Sequence, residues 1–249
     1  MNFRGGGAPK NDAPAGFLAV LKALCFIKKN AFTLSEVLIT LGIIGVIAAM
    51  TLPAIISKCD FYVRKQQFKK AYNTITQVFL KAEADYGDLF GCHYGYEKNW
   101  DCKLLREYVE KNLNTINVCY GNALSKGCIP EYKGLEEVYL QNNPGWDKDD
   151  LDNFINNSYS GFSKNSLFNN NFAYVLEDGT IIVLYSKEFI LFMIDINGKK
   201  GPNKWGYDLF VFERYREAVK SGVIVRGTGQ NFVEKGGISS QNMIKEIYK

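Results

Sequence analysis

Residues 31–56 read AFTLSEVLITLGIIGVIAAMTLPAII, and the only formally charged side chain among them is Glu36. A helix rises about 1.5 Å per residue and needs about 20 apolar residues to cross the hydrocarbon core of a bilayer, so this stretch is long enough to span one. Two other readings fit less well. The core helix of a water-soluble protein is seldom apolar on every side over such a length. A secretory signal has an apolar region of only about 7–15 residues, followed by a small-residue cleavage site. Here the order is inverted, because the small residue at the plausible cut, Ala31, stands before the apolar run and just after Lys28, Lys29 and Asn30. The stretch predicts a membrane-spanning helix.

Outward from it, the composition narrows the function. The chain has 249 residues, 47% hydrophobic and 22% charged, enough for one sizeable domain beside the span and too apolar for a disordered chain. Arg4, Lys10, Lys22, Lys28 and Lys29 against Asp12 alone account for the whole net charge of +4. The remainder is neutral and gives no electrostatic case for nucleic-acid binding. Lysines flank the span on both sides, so the positive-inside count does not fix its orientation. His93 is the only histidine, which excludes two-histidine metal sites and leaves histidine proton shuttling a single candidate. Enzymatic readings start at a disadvantage.

Glu36 is the informative residue of the span. A carboxylate well inside hydrocarbon costs roughly 2.5–3.5 kcal/mol, so it either reaches the headgroups from near the helix end or faces a cation at its own depth. A cut just before Phe32 would supply that cation as the α-ammonium of a neighbouring subunit. Gly42 and Gly45 are costly in a water-exposed helix but let helices approach closely in a membrane. Pro53 removes a helical hydrogen bond, which predicts a kink or local melting near Leu52–Pro53.

The run KKNAFTLSEVLITLGIIGVIAAMTLPAI, residues 28–55, resembles the N-terminal signature of type IV pilins and type II secretion pseudopilins. Basic residues, a small residue, Phe32, Glu36 four residues later and Pro53 seventeen beyond that all fall in place. The resemblance implies cleavage between Ala31 and Phe32 by a membrane aspartyl prepilin peptidase, then N-methylation of Phe32. It implies that Glu36 aligns each subunit through the N-terminus of its neighbour. The partners it implies are other pilin or pseudopilin subunits, the peptidase, an inner-membrane assembly platform and, before assembly, membrane lipid. It places the chain as a single-pass protein of the bacterial inner membrane, leader cytoplasmic and head exported. The small residue before the cut is Ala31 where the family usually has Gly. The leader is long, and FLAVLKALCFIKK within it reads either as an amphipathic surface helix or as upstream sequence from a wrong start codon.

Beyond Pro53, Phe61, Phe68, Tyr72, Ile75, Phe79, Ala82 and Tyr86 recur at helical spacings. They predict one helix from Leu34 to Tyr86, with Gly87 as its stop and one face on a globular head. Cys25 lies in the leader and Cys59 near the membrane end of the helix, which leaves Cys92, Cys102, Cys119 and Cys128. Four cysteines allow three pairings. The local pairs Cys92–Cys102 and Cys119–Cys128 are preferred, since both close short loops on an exported head. Zinc is disfavoured by the absence of C-x-x-C, and a Cys92 thiol nucleophile by the lack of an orienting acid. KLLREYVEKNL at 103–113 predicts an amphipathic helix, and 135–168 reads as surface loops with short helices.

Residues 172–177, 180–185, 189–194 and 207–212 predict three or four antiparallel strands, with a hairpin at Asp178-Gly179. The loop DINGKKGPNKWGYD, 195–208, is similar to a D-x-N-G…P-N…G-x-D stretch of pseudopilin-like proteins. Asp195, Asn197, Asn203 and Asp208 are candidate calcium ligands, but Lys199 and Gly206 stand where an EF-hand needs oxygen ligands, so a glycine- and proline-shaped turn is preferred and no cofactor is expected. The tail predicts irregular or short-strand sequence, then a helix capped by Ser240.

The expected organisation is a leader at 1–31, a transmembrane or filament-core helix at 32–57, its amphipathic continuation at 58–87 and an exported head at 88–249. The fold class is α+β, pilin-like, with the helix on a small antiparallel sheet. The expected function is that of a structural filament subunit in secretion or a pilus. A minor pilin whose head binds DNA, a surface or an exported protein is the alternative, and would share every N-terminal feature. A membrane-anchored enzyme is disfavoured.

Overall fold

The computed structural model of the chain describes residues 33–86, 103–154, 160–184, 191–214, 225–228 and 232–249. It divides into two compact units, Met1–Ile56 and Ser57–Lys249. Helix α1 runs from Leu34 to Tyr86, the bounds the sequence predicts, and is long and apolar enough to cross a membrane. It continues through Pro53, so of the kink or local melting expected there, the melting is absent. One lost hydrogen bond is a local defect when complete turns flank it on both sides.

In the second unit, α1 buries Phe68, Ala71, Tyr72, Ile75, Val78, Phe79 and Ala82. These positions make one stripe at helical spacing, and the stripe lies on a β-sheet. The sheet is antiparallel throughout and six-stranded, in the order β1 (Thr115–Tyr120), β2 (Phe172–Leu176), β3 (Ile181–Leu184), β4 (Leu191–Asp195), β5 (Leu209–Arg214), β6 (Val225–Gly227). The class is α+β. Two strands exceed the expectation of three or four. β1 carries Asn117 and Cys119 and an irregularity between Thr115 and Asn117, which blurs the alternation that marks a strand. β6 spans only three residues. Asp178 and Gly179 lie in the β2–β3 hairpin loop, where Gly179 has φ +88° and Thr180 N–H donates to Asp178 Oδ1 at 3.0 Å.

Side chains alternate between the two faces of a strand. Tyr174, Ile182, Leu184, Phe192, Ile194, Phe210 and Phe212 face the α1 stripe, and the rings of Phe68 and Phe210 meet edge to face at 4.7 Å. The opposite set, Ala173, Ile181, Val183, Met193, Leu209 and Val211, builds a second core. Its cover comes from α3 (Leu135–Asn142), α4 (Lys148–Phe154) and the short turns Ser160–Phe162 and Ser166–Asn170, which bury Leu135, Val138, Leu151, Phe162 and Leu167. The stretch read as surface loops with short helices is therefore a packed layer. A cue was present in β3, whose four residues IIVL are all apolar and all buried, as in strands covered on both faces.

Helix α2 (Lys103–Asn112) confirms the amphipathic segment. It joins α1 through Tyr108, whose hydroxyl donates to Asp85 Oδ2 at 2.6 Å. The last helix, α5, spans Ser240–Ile247, and its cap is Ser239, whose hydroxyl accepts from Asn242 N–H at 3.3 Å. The expectation of Ser240 misses by one residue, since either serine of the pair suits a cap and only geometry separates them.

Candidate assembly and processing site

Thr33 is the N-cap of α1. Its carbonyl accepts the first helical bond from Val37 N–H at 3.2 Å, and its hydroxyl accepts from Glu36 N–H at 3.2 Å. Glu36 reaches back, its Oε2 accepting from Thr33 N–H at 2.8 Å and from the Thr33 hydroxyl at 2.9 Å. This reciprocal arrangement is a capping box, and it satisfies two N–H groups that a helix start otherwise leaves open. It also holds a carboxylate at the helix N-terminus, where the helix dipole favours negative charge. Glu36 is thereby fixed beside the peptide bond that joins Thr33 to Phe32. Ala31 and Phe32 themselves lie outside the described residues. The role of Thr33 is absent from the sequence reading, although T-L-S-E carries the S/T-x-x-E signature.

Downstream of Glu36 the surface is apolar. Leu38, Leu41, Ile44, Ile47 and Leu52 are exposed on the chain taken alone. The hydroxyls that would roughen this surface turn inward, Thr40 to Val37 O at 3.0 Å and Thr51 to Ile47 O at 2.9 Å. Such back-bonding satisfies them without water. Gly42 and Gly45 are exposed, and a Cβ on either would meet nothing within 4 Å. Nothing among the described residues requires glycine there, which leaves a bare stretch of backbone for a neighbouring helix.

In the head, Cys119 on β1 is bonded to Cys128. Cys92 and Cys102 lie outside the described residues, and Cys59 is free and exposed. The 195–208 loop closes on its own groups. Asp195 Oδ1 accepts from the N–H groups of Asn197 (3.2 Å) and Gly198 (2.8 Å), and Asp195 Oδ2 from the Tyr132 hydroxyl at 2.8 Å. Asp208 accepts from Asn203 N–H and Lys204 N–H, both at 2.7 Å, and Asn197 Nδ2 donates to Gly201 O at 2.7 Å. Gly198 has φ +63° and passes so close to Gly179 O that a Cβ would collide with it. Asn197 Oδ1 and Asn203 Oδ1 are buried without a donor, the one feature that would suit a cation. Each carboxylate oxygen is already engaged, and among the described residues no three acidic, histidine or cysteine groups converge. The donor set suits a self-closed turn better than a calcium cage. Burial pushes the Asp195 carboxyl up to about 7, with the Asp208 charge adding to it and the bonds from Tyr132, Asn197 and Gly198 opposing it. Burial likewise raises Asp208, against the N–H groups of Lys204 and Asn203.

Comparison with known protein families bears on the N-terminal segment alone. Residues 27–52 match the family model described as the prokaryotic N-terminal methylation motif. The chain carries this motif. It is the hallmark of type IV pilin and pseudopilin precursors, and its span contains the Thr33–Glu36 box and both glycines. Neither the curated proteins nor the solved structures yielded a match.

Proposed function

We propose that the chain is a structural subunit of a type II secretion pseudopilus or a type IV pilus. The observation that carries this reading is the methylation motif over residues 27–52, set on a helix whose apolar side chains find no cover among the described residues. Prepilin peptidase cuts between Ala31 and Phe32, the new Phe32 amine is methylated, and the subunit waits in the inner membrane with its head exported. On assembly the span exchanges lipid for neighbouring spans, which approach at Gly42 and Gly45. Glu36 sets the register by exchanging its bonds to Thr33 for the α-ammonium of an adjacent Phe32, a charge pair that water does not screen in hydrocarbon. The function is mechanical, not catalytic.

Co-expression with a prepilin peptidase tests the processing step. The expected product begins at N-methylated Phe32 by intact-mass and peptide mass spectrometry, and a chain that keeps its leader beside an active peptidase overturns it. Glu36→Ala tests the assembly step. It is expected to leave membrane insertion intact and to cut filament incorporation at least tenfold, read as the sheared-filament fraction. Normal incorporation of that variant would sink the pairing mechanism.

A further inference from the structure

A cleft of about 450 Å³ opens in the head, lined by Asp60, Val63, Arg64 and Gln67 of α1 and by Asn197, Lys200, Pro202 and Tyr207 of the 195–208 loop. Two observations say what would fill it. One is charge. The α1 residues 57–70 carry Lys58, Arg64, Lys65, Lys69 and Lys70 against Asp60 alone, and the loop adds Lys199, Lys200 and Lys204 against Asp195 and Asp208, both fully buried. Arg64 stacks over the Tyr207 ring at 5.1 Å and Lys204 over the same ring at 5.9 Å, which gathers two cations at the mouth of the cleft. The other is the tether. Asp60 follows Ile56, the end of the apolar stretch, by four residues, so chain length alone keeps the cleft within about 15 Å of it. The headgroup layer extends about 5–8 Å beyond the hydrocarbon on each side, within that reach, and juxtamembrane basic side chains attract anionic lipid. Tyr62, exposed on the same turn of helix, is a side chain suited to that interface.

We propose that this cleft holds the headgroup of an anionic phospholipid and anchors the head to the membrane before the subunit is extracted. The phosphate takes charge-assisted bonds from Arg64 and Lys200. Gln67 and Asp60 offer partners to headgroup hydroxyls, and Val63 and Pro202 meet the glycerol and upper acyl carbons. The inference rests on the reading of residues 31–56 as a membrane span. It needs neither cleavage at Ala31 nor assembly through Glu36, so the two can fail separately.

The test uses the full uncleaved chain, purified in a mild non-ionic detergent and titrated with phosphatidylglycerol or phosphatidylcholine, with bound lipid read by native mass spectrometry. One phosphatidylglycerol per chain is expected, in preference to phosphatidylcholine, and inorganic phosphate should not displace it. R64Q and K200Q should each weaken retention about fivefold, the weight of one interfacial charge, and the double variant more. K126Q, a lysine outside the cleft, is the control, and near-ultraviolet circular dichroism checks the fold of each variant. Equal retention of the two lipids, displacement by inorganic phosphate, or a preference that survives in a folded R64Q/K200Q chain would overturn the proposal. If the lipid result holds while the peptidase leaves the chain uncut, the cleft stands and the filament reading falls.

Discussion

Ile44 and Phe68 belong to the same helix, yet Ile44 is 61% exposed while Phe68 is 0% exposed. The apolar content of the two regions does not separate them; their geometry does. Around Phe68 the apolar side chains form a stripe with Lys69, Lys70, Asn73 and Gln77 beside it, and one sheet suffices to cover the stripe. Around Ile44 every direction is apolar, and no single surface of the chain could cover it. The first region is folded by its own head, while the second needs a surrounding medium, either lipid or other copies of the helix. The difference predicts opposite responses to the same kind of truncation.

The largest expected effect is therefore on the head. Phe68→Ala removes a ring packed against Tyr72, Phe210 and Phe212, and aromatic truncation in a core costs about 3–5 kcal/mol. For a unit of this size that lowers the melting temperature by roughly 10 °C. Ile44→Ala should leave the melting of the head unchanged in detergent. Thermal circular dichroism of the two variants decides, and an equal loss in both would break the comparison.

How much was legible beforehand follows the same division. The span, the bounds of α1 and the four central strands were readable because hydrophobic periodicity is a local property of sequence. So was Cys119–Cys128, which closes a short loop. The second core was not, because Leu135, Val138, Phe162 and Leu167 are spread among Asn, Asp and Ser, and only the tertiary fold gathers them over Val183 and Met193. Within the candidate site, Glu36 was legible as a lone charge in an apolar run. Its bond to Thr33 was legible in principle from the capping-box spacing. Tyr132, which reaches Asp195 across the head, carried no local signal.

A smaller effect concerns that buried carboxylate. Because burial raises Asp195 to about 7 in the folded head, above its ordinary value of about 3.9 when unfolded, the folded state prefers the proton. The stabilisation this residue contributes is full below the unfolded value and is lost as pH rises through about 7. Melting temperature should fall between about pH 5 and about pH 8, a window that brackets that transition. Asp195→Asn should flatten the slope, and what remains belongs to Asp208, shifted in the same direction. A slope unchanged in Asp195→Asn would place the titration elsewhere.

The smallest effect lies where α1 meets the hairpin. Lys70 pairs with Asp178 at 2.8 Å, but the lysine side chain is 66% exposed. Burial alone would raise the Asp178 carboxyl, and the Lys70 ammonium with the Thr180 N–H brings it below its usual range. Solvent screens such a pair, so Lys70→Ala should cost less than about 1 kcal/mol, and less still in high salt. The helix is held to the sheet by its buried stripe, and the ion pair only decorates the rim of that contact. A double-mutant cycle of Lys70→Ala with Asp178→Ala measures this directly by urea unfolding. A coupling as large as the loss in Phe68→Ala would mean that polar contacts, and not the stripe, fasten the head to its helix.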